Sequence, residues 1–148
     1  MNAAQRARRR LEHAYRNTTY RVHAPEGAID VRIGHLHPDL DQLLGRNGVS
    51  TWAIVTAFNP HSVRLTEVEN RARHELLLSS VRKKGWTALE AEGLPPDDSW
   101  LSEHGLLIFA IDEFDALSLA ARFEQSAIVA GEHDQPARLI WIDHPRRR

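Results

Sequence analysis

Thr51-Trp52-Ala53-Ile54-Val55-Thr56-Ala57-Phe58, followed at once by Asn59-Pro60, is the stretch on which the fold turns. An amphipathic helix interleaves polar residues within every turn, and a half-exposed strand alternates polar with apolar. A run that is apolar almost throughout, rich in β-branched and aromatic side chains, reads instead as a strand buried on both faces, hence central in its sheet. Pro60 pushes Asn59 out of the helical region, so a turn is expected there.

Downstream, a long helix is expected from about Thr66. Thr66 and Glu69 form the S/T-x-x-E pattern, in which each side chain takes up the other's free backbone N–H. Leu65, Val68, Ala72 and Leu76 recur at helical spacing and mark its expected packing face. Glu67 with Arg71 and Glu69 with Arg73 read as i,i+4 ion pairs on its wet face. Lys83, Lys84 and Gly85 suit its C-terminus. Residues 86–91 and 106–111 read as strands, separated by a loop with Pro95, Pro96, Asp97 and Asp98. Residues 112–123 read as an amphipathic helix bearing Phe114, Leu117, Ala121 and Phe123, and residues 127–130 and 138–142 as a closing strand pair.

Upstream, residues 3–16 favour helix, residues 19–24 and 29–33 flank the turn Pro25-Glu26-Gly27 as an antiparallel hairpin, and residues 38–44 form a short helix. The order α-ββ-α-β-α-ββ-α-ββ implies a single α/β (α+β) domain, a mixed sheet with hairpins flanked by helices. Residues 1–16 would form a basic helix or arm, 17–143 the domain and 144–148 a basic tail.

At 148 residues the chain is long enough for one domain with a full core. It has no cysteine, which removes disulfides, thiolate nucleophiles and cysteine-based metal centres. No stretch approaches the ~20 apolar residues of a membrane span. No apolar run follows Arg6 and Arg8–Arg10 to make a secretory signal. A cytoplasmic protein with no membrane association is expected. The formal net charge of −1 argues against the whole-surface basic field of a nucleic-acid binder. The basic residues gather at the two ends, Arg6, Arg8, Arg9 and Arg10 and then Arg146–Arg148, and read as solvated termini. Nucleic-acid binding would require those ends to share one face. Of nine histidines, only His35 and His37 have strand-like i,i+2 spacing, and no carboxylate stands in register with them, so no metal is expected. The phosphate-binding, dinucleotide and nucleophile-elbow patterns are missing as well, and no cofactor is expected.

The best place for a site is where the central strand ends and the long helix begins, because ligands collect beyond strand carboxyl ends near helix N-termini. Thr56, Asn59 and Asn70 are the candidate ligand-binding residues there. Asn70 takes the helix position where an apolar staple to Leu65 would be usual. Its amide either reaches back to hold the Asn59-Pro60 loop or faces a ligand. Glu103, after the acidic loop and Trp100, is the candidate catalytic acid/base, since a carboxylate beside an aromatic and an apolar strand can be driven towards its neutral form. Gln125, where a helix gives way to a strand, either caps the sheet edge or lends an amide to a pocket.

Tyr15, Thr19-Tyr20, Ile33-Gly34, Trp52, Thr56 through Pro60, Thr66, Glu69-Asn70, Arg73, Glu103, Phe123 and Gln125 through Ile128 occur in that order. In this the chain resembles the bacterial family known as domain of unknown function 3293. The family pattern has glycine immediately before the glutamine, whereas this chain has Glu124. A glycine there suits the left-handed end of a helix, and glutamate pays a cost in that conformation. The resemblance implies a shared fold and no particular activity.

Two functions from different classes follow. The first is a module that binds a small polar ligand or a protein partner near Asn59, Asn70 and Gln125. The second is a small hydrolase or transferase that uses Glu103 as acid/base while Thr56, Asn59 and Asn70 orient the substrate. Convergence of these side chains on one concave pocket would favour the enzyme, and amides consumed by backbone hydrogen bonds would count against it.

Overall fold

The computed structural model describes residues 1–97 and 101–143, so Trp100, the far end of the acidic loop and Arg146–Arg148 lie outside the described residues. The elements are α1 (Ala3–Arg16), β1 (Thr19–Ala24), β2 (Gly27–Val31), α2 (Pro38–Arg46), β3 (Thr51–Thr56), α3 (Glu67–Lys83), β4 (Ala88–Leu94), β5 (Glu103–Phe109), α4 (Glu113–Arg122), β6 (Ala127–Glu132) and β7 (Arg138–Trp141). A short 3-10 turn, Pro60–Ser62, stands between β3 and α3.

The apolar run at β3 behaves as its composition requires. Trp52 and Ile54 enter one core with Val22, Leu44, Leu107 and Val129. Ala53 and Val55 enter a second core on the opposite face with Leu77, Ile108, Leu119 and Ile128. The sheet order is β2-β1-β4-β5-β3-β6-β7, which sets β3 between β5 and β6. Helices α3 and α4 cover the second core, and α2 covers the first. Gly105 of β5 lies so close to β3 that a β-carbon there would sit 2.7 Å from the Val55 carbonyl oxygen, so the tight approach of the two strands requires glycine.

The domain is α+β with helices on both sheet faces, but every strand pairing is antiparallel, where a mixed sheet was expected. The connections explain why. The crossovers β3-α3-β4 and β5-α4-β6 each skip one position, and the skipped position is filled by an antiparallel strand of the other unit. The segment β3 to β6 is thus two interlocked split β-α-β units, the ferredoxin-like arrangement. The β1–β2 hairpin extends one side of it and β7 the other.

Two helices turn differently from their hydrophobic periodicity. The buried face of α3 carries Asn70, His74, Leu77 and Val81. Val68 and Leu76, expected to pack, are 80% and 62% exposed. In α4 the buried residues are Ala116, Leu119 and Ala120, and Phe114 faces solvent. For α3 the cause is hydrogen bonding: its inward row holds polar groups that the preceding loop needs, and those outrank the apolar stripe for the inside position. Strand β5 also starts three residues earlier than expected, so Glu103 is a strand residue paired with Gly93, not a loop residue.

Candidate functional site

Beyond β3 the chain enters a left-handed stretch. Asn59, His61 and Ser62 have φ of 48°, 53° and 61°. Each such residue costs about 1–2 kcal/mol in an ordinary L-residue, least for asparagine. Facing them is Glu124 at φ 59°, whose carbonyl accepts a 2.7 Å hydrogen bond from the His61 N–H. Ala110 and Asp134 are the remaining left-handed non-glycine residues among those described, so four of six meet in this one patch.

Buried amides hold the patch in place. The Asn59 N–H donates to Asn70 Oδ1 at 2.8 Å, and Asn70 Nδ2 donates back to Asn59 Oδ1 at 2.8 Å. Asn59 Oδ1 also accepts from the Leu65 N–H at 2.9 Å, and Asn59 Nδ2 donates to Glu103 Oε1 at 2.9 Å. Asn59 and Asn70 are only 7% and 5% exposed, so each of these bonds replaces water that cannot enter. Asn70 therefore reaches back to the loop rather than facing solvent. Gln125 Nε2 donates to the carbonyls of Phe58 and Phe123. Thr56 Oγ1 donates to the His104 carbonyl and accepts from the Phe58 N–H, which ends β3 and starts the turn.

Arg73, read from sequence as the exposed partner of Glu69, points inward instead. Its Nε donates to the Ala57 carbonyl at 2.6 Å, its Nη2 to the Phe123 carbonyl, and its Nη1 lies 3.8 Å from Glu124. The capping box explains the switch, since the Glu69 carboxylate is engaged by Thr66 at 2.8 Å. Glu67 and Arg71 do pair, at 3.0 Å, in full exposure. One turn on, His74 Nε2 lies 2.9 Å from Glu90 Oε2 while its buried Nδ1 has no hydrogen-bond partner. That geometry has Nε2 donate its proton towards Glu90. The Phe58 ring lies against His74 and His104, 6.4 Å and 5.6 Å between ring centres.

On the other sheet face Glu103 meets the chain's two tyrosines. Register aligns Tyr20 with Gly93 and Gly93 with Glu103, and the Tyr20 ring lies beside Gly93, where a β-carbon would stand 3.6 Å from it. Burial pushes the Tyr15 phenol up to about 12, the Glu103 charge adds to this, and a hydrogen bond with Ser126 works against it. Tyr20 is raised further, by burial first, then by Tyr15 and Glu103, with Thr18 opposing. Both phenols therefore keep their protons at neutral pH.

The four amide and hydroxyl candidates and Glu103 thus lie in one hydrogen-bonded unit at one end of the sheet. Two hollows among the described residues lie elsewhere, an open trough of about 540 Å³ along α1 and a cleft of about 190 Å³ between α3 and α4, and none of these five residues lines either. No group of three or more metal-ligating side chains gathers among the described residues. No described helix is long and apolar enough to cross a membrane.

The family model described as protein of unknown function DUF3293 matches residues 55–128. The chain belongs to the DUF3293 family. The matched segment runs from β3 into β6, so in this DUF3293 protein it covers the interlocked β-α-β units together with Asn59, Asn70, Arg73, Glu103 and Gln125. The β1–β2 hairpin and α1, with both tyrosines, fall outside it. No curated protein and no solved structure matches the chain.

Sequence reasoning gave no role in the site to Arg73, His74, Tyr15, Tyr20 or Ser126. The sequence holds only partial signals for them: His74 stands four residues after Asn70, on the same helical face, and the two tyrosines flank one helix–strand junction, whereas nothing marks Arg73 or Ser126.

Proposed function

We propose that this DUF3293 protein is a cytoplasmic, non-catalytic module that docks a protein partner. The docking surface is the outer row of α3 together with the left-handed loop that precedes it. The observation that carries this reading is that Val63, Val68 and Leu76 are 61%, 80% and 62% exposed. Val68, Ala72 and Leu76 repeat at i, i+4, i+8, a spacing that normally marks a buried face. Contiguous apolar surface of this kind is a feature of interaction sites, whereas isolated exposed apolar residues are not. The loop beside it is fixed by internal hydrogen bonds, so a partner would meet a rigid shape and little ordering entropy would be lost on docking.

The alternative, a small hydrolase or transferase using Glu103, has one contact in its favour, the 2.9 Å hydrogen bond from Asn59. It has less support, because the amides that would orient a substrate are spent on Leu65, Phe58, Phe123 and each other.

A photo-reactive residue at position 76 in the native cell, with one at position 114 on α4 as control, tests the reading. A protein crosslinked from 76 and not from 114, and lost with Val68→Glu, supports it. Absence of any such crosslink, with a metabolite stabilising the wild type but not Glu103→Gln, would overturn it in favour of the enzyme. A crosslink to a second copy of the chain would make the module a self-associating one.

A further inference from the structure

We infer that α1 is a phosphate-backbone contact surface and that this chain binds nucleic acid through it, on a face separate from the outer row of α3. Helix α1 carries Arg6, Arg8, Arg9, Arg10 and Arg16 against a single acid, Glu12, in a chain whose net charge is −1. The rest of the molecule is therefore acidic on balance, and α1 carries a marked excess of positive charge. None of the α1 residues is buried, and an Asn2–Gln5 capping box closes its N-terminus. Only Leu11, Glu12 and Tyr15 of the helix are partly covered, so the arginine-bearing half projects from the body.

Two contacts fix the helix. The Arg8 guanidinium stacks over the Trp141 ring, 4.3 Å from its centre, and Tyr15 meets Trp141 edge-on at 5.9 Å. Trp141 closes β7, so the start of the chain is held against the end of its last strand. In sequence, Arg146–Arg148 follow five residues after Trp141. Residues 146–148 lie outside the described residues, and α1 alone carries the inference. Arg32 adds a further cation, donating to the Arg16 carbonyl at the far end of α1.

Arg6, Arg9, Arg10, His13 and Arg16 recur at i, i+3, i+4, i+7 and i+10, a ridge rising about 15 Å. Arg9 and Arg10 have no hydrogen bond or ion pair, and an open trough lies along Met1, Gln5, Arg8, Arg9 and Glu12. Exposed guanidinium groups in line and spaced by about a helical turn, with Arg9 and Arg10 unpaired and Arg6 and Arg16 in local contacts with Met1 and Glu12, suit a strand of phosphates, which they grip with two parallel N–H donors each. An anionic membrane fits less well. The exposed apolar residues of α1 are alanines, Leu11 and Tyr15 already face the protein, and Met1 is the single exposed bulky apolar side chain beside it, too little to anchor in acyl chains.

The test uses the full-length chain and fluorescein-labelled 20-mers, one a single-stranded RNA and one a DNA duplex, read by anisotropy. About four phosphate contacts predict that affinity falls roughly 50-fold for the single strand and about 150-fold for the duplex between 50 and 200 mM salt. Arg6→Glu/Arg9→Glu/Arg10→Glu should abolish binding without moving the melting temperature, because all three side chains are exposed and their one contact, from Arg6 to the Met1 carbonyl, is local and solvent-facing. Arg71→Glu/Arg82→Glu/Arg122→Glu, the same charge change on α3 and α4, should leave most of it. Absence of salt-dependent binding to both 20-mers overturns the inference, as does equal loss in the two triple variants. Equal affinity for phosphatidylglycerol vesicles or for polyglutamate overturns it too, because a surface that takes any anion is not a nucleic-acid site.

Discussion

Glu124 gives the most direct measure of how much stability the loop patch gives up. It stands just past the end of α4, at φ 59°, where glycine is the residue with no steric penalty. Replacing it with glycine relieves about 1–2 kcal/mol of left-handed strain and costs about 0.4–1 kcal/mol through the added freedom of the unfolded chain. It also removes the Glu124 contacts with His61 at 3.2 Å and Arg73 at 3.8 Å. Both are half-exposed on the glutamate side and together contribute about 0.5 kcal/mol. The net expectation for Glu124→Gly is stabilisation of about 0.5 kcal/mol, a rise in melting temperature of about 1–2 °C. The decisive comparison is with Glu124→Ala, which loses the same contacts and keeps the strain. Glycine should exceed alanine by about 1 kcal/mol in urea unfolding at equal m-value. If the two variants unfold at the same urea concentration, position 124 carries no strain and the reasoning fails. If glycine is the less stable, the carboxylate is what holds Arg73 and the loop.

Asn70→Ala leaves the Asn59 N–H without a partner in a site closed to water, and should destabilise by about 2–3 kcal/mol in the same urea assay, an effect below 1 kcal/mol being inconsistent with the hydrogen bonds described. His37 Nε2 accepts the Arg32 N–H at 2.9 Å, and burial, aided by His35, holds its pKa below the usual histidine value. The unfolded chain then binds the proton more readily, so this stability is present above about pH 6.5 and is lost as pH falls through the lowered folded value. His37→Gln, which keeps an acceptor, should flatten the acid limb of the melting curve, and an unchanged limb would refute the assignment. The sign reverses for Tyr15, whose folded form holds its proton up to about 12. Its contribution is complete below about pH 10 and is lost as pH rises through about 12, so Tyr15→Phe should lessen the alkaline loss of stability in thermal melts.

Much of the architecture was legible because it rests on short-range rules. The apolar run at β3 admits one interpretation, and the Thr66–Glu69 capping box placed the start of α3. The antiparallel sheet was not legible, since strand order depends on which positions the crossovers skip, and residue types at β3 or β5 do not encode that. At the site, Asn70 could be singled out because an amide occupies a position where an apolar residue is usual. Arg73 could not, because its i,i+4 spacing to Glu69 is identical whether the pair forms or the guanidinium turns inward. Tyr15 and Tyr20 come together with Glu103 only through the register of β1, β4 and β5.

The inverted face of α3 joins these observations. Its inner row spends Asn70 and Arg73 on carbonyls and amides of residues 57, 59 and 123, and its outer row leaves Val68, Ala72 and Leu76 in water. Rotating the helix to bury the stripe would add about 3–5 kcal/mol of apolar burial from two large side chains. It would also strip the loop of the groups that hold three left-handed residues, leaving buried polar atoms unpaired at about 1–3 kcal/mol each. With at least four such bonds at stake, the polar inside wins, and that alone fixes the orientation of the helix. It does not explain why the outer positions are apolar, since lysine or glutamate there would serve a monomer equally well. On the proposed reading the partner covers them. Val68→Lys/Leu76→Lys should therefore leave stability within about 0.5 kcal/mol per site while abolishing the crosslink from that face. Destabilisation well beyond this would mean that the row packs within the chain, and the docking surface would have to be sought elsewhere.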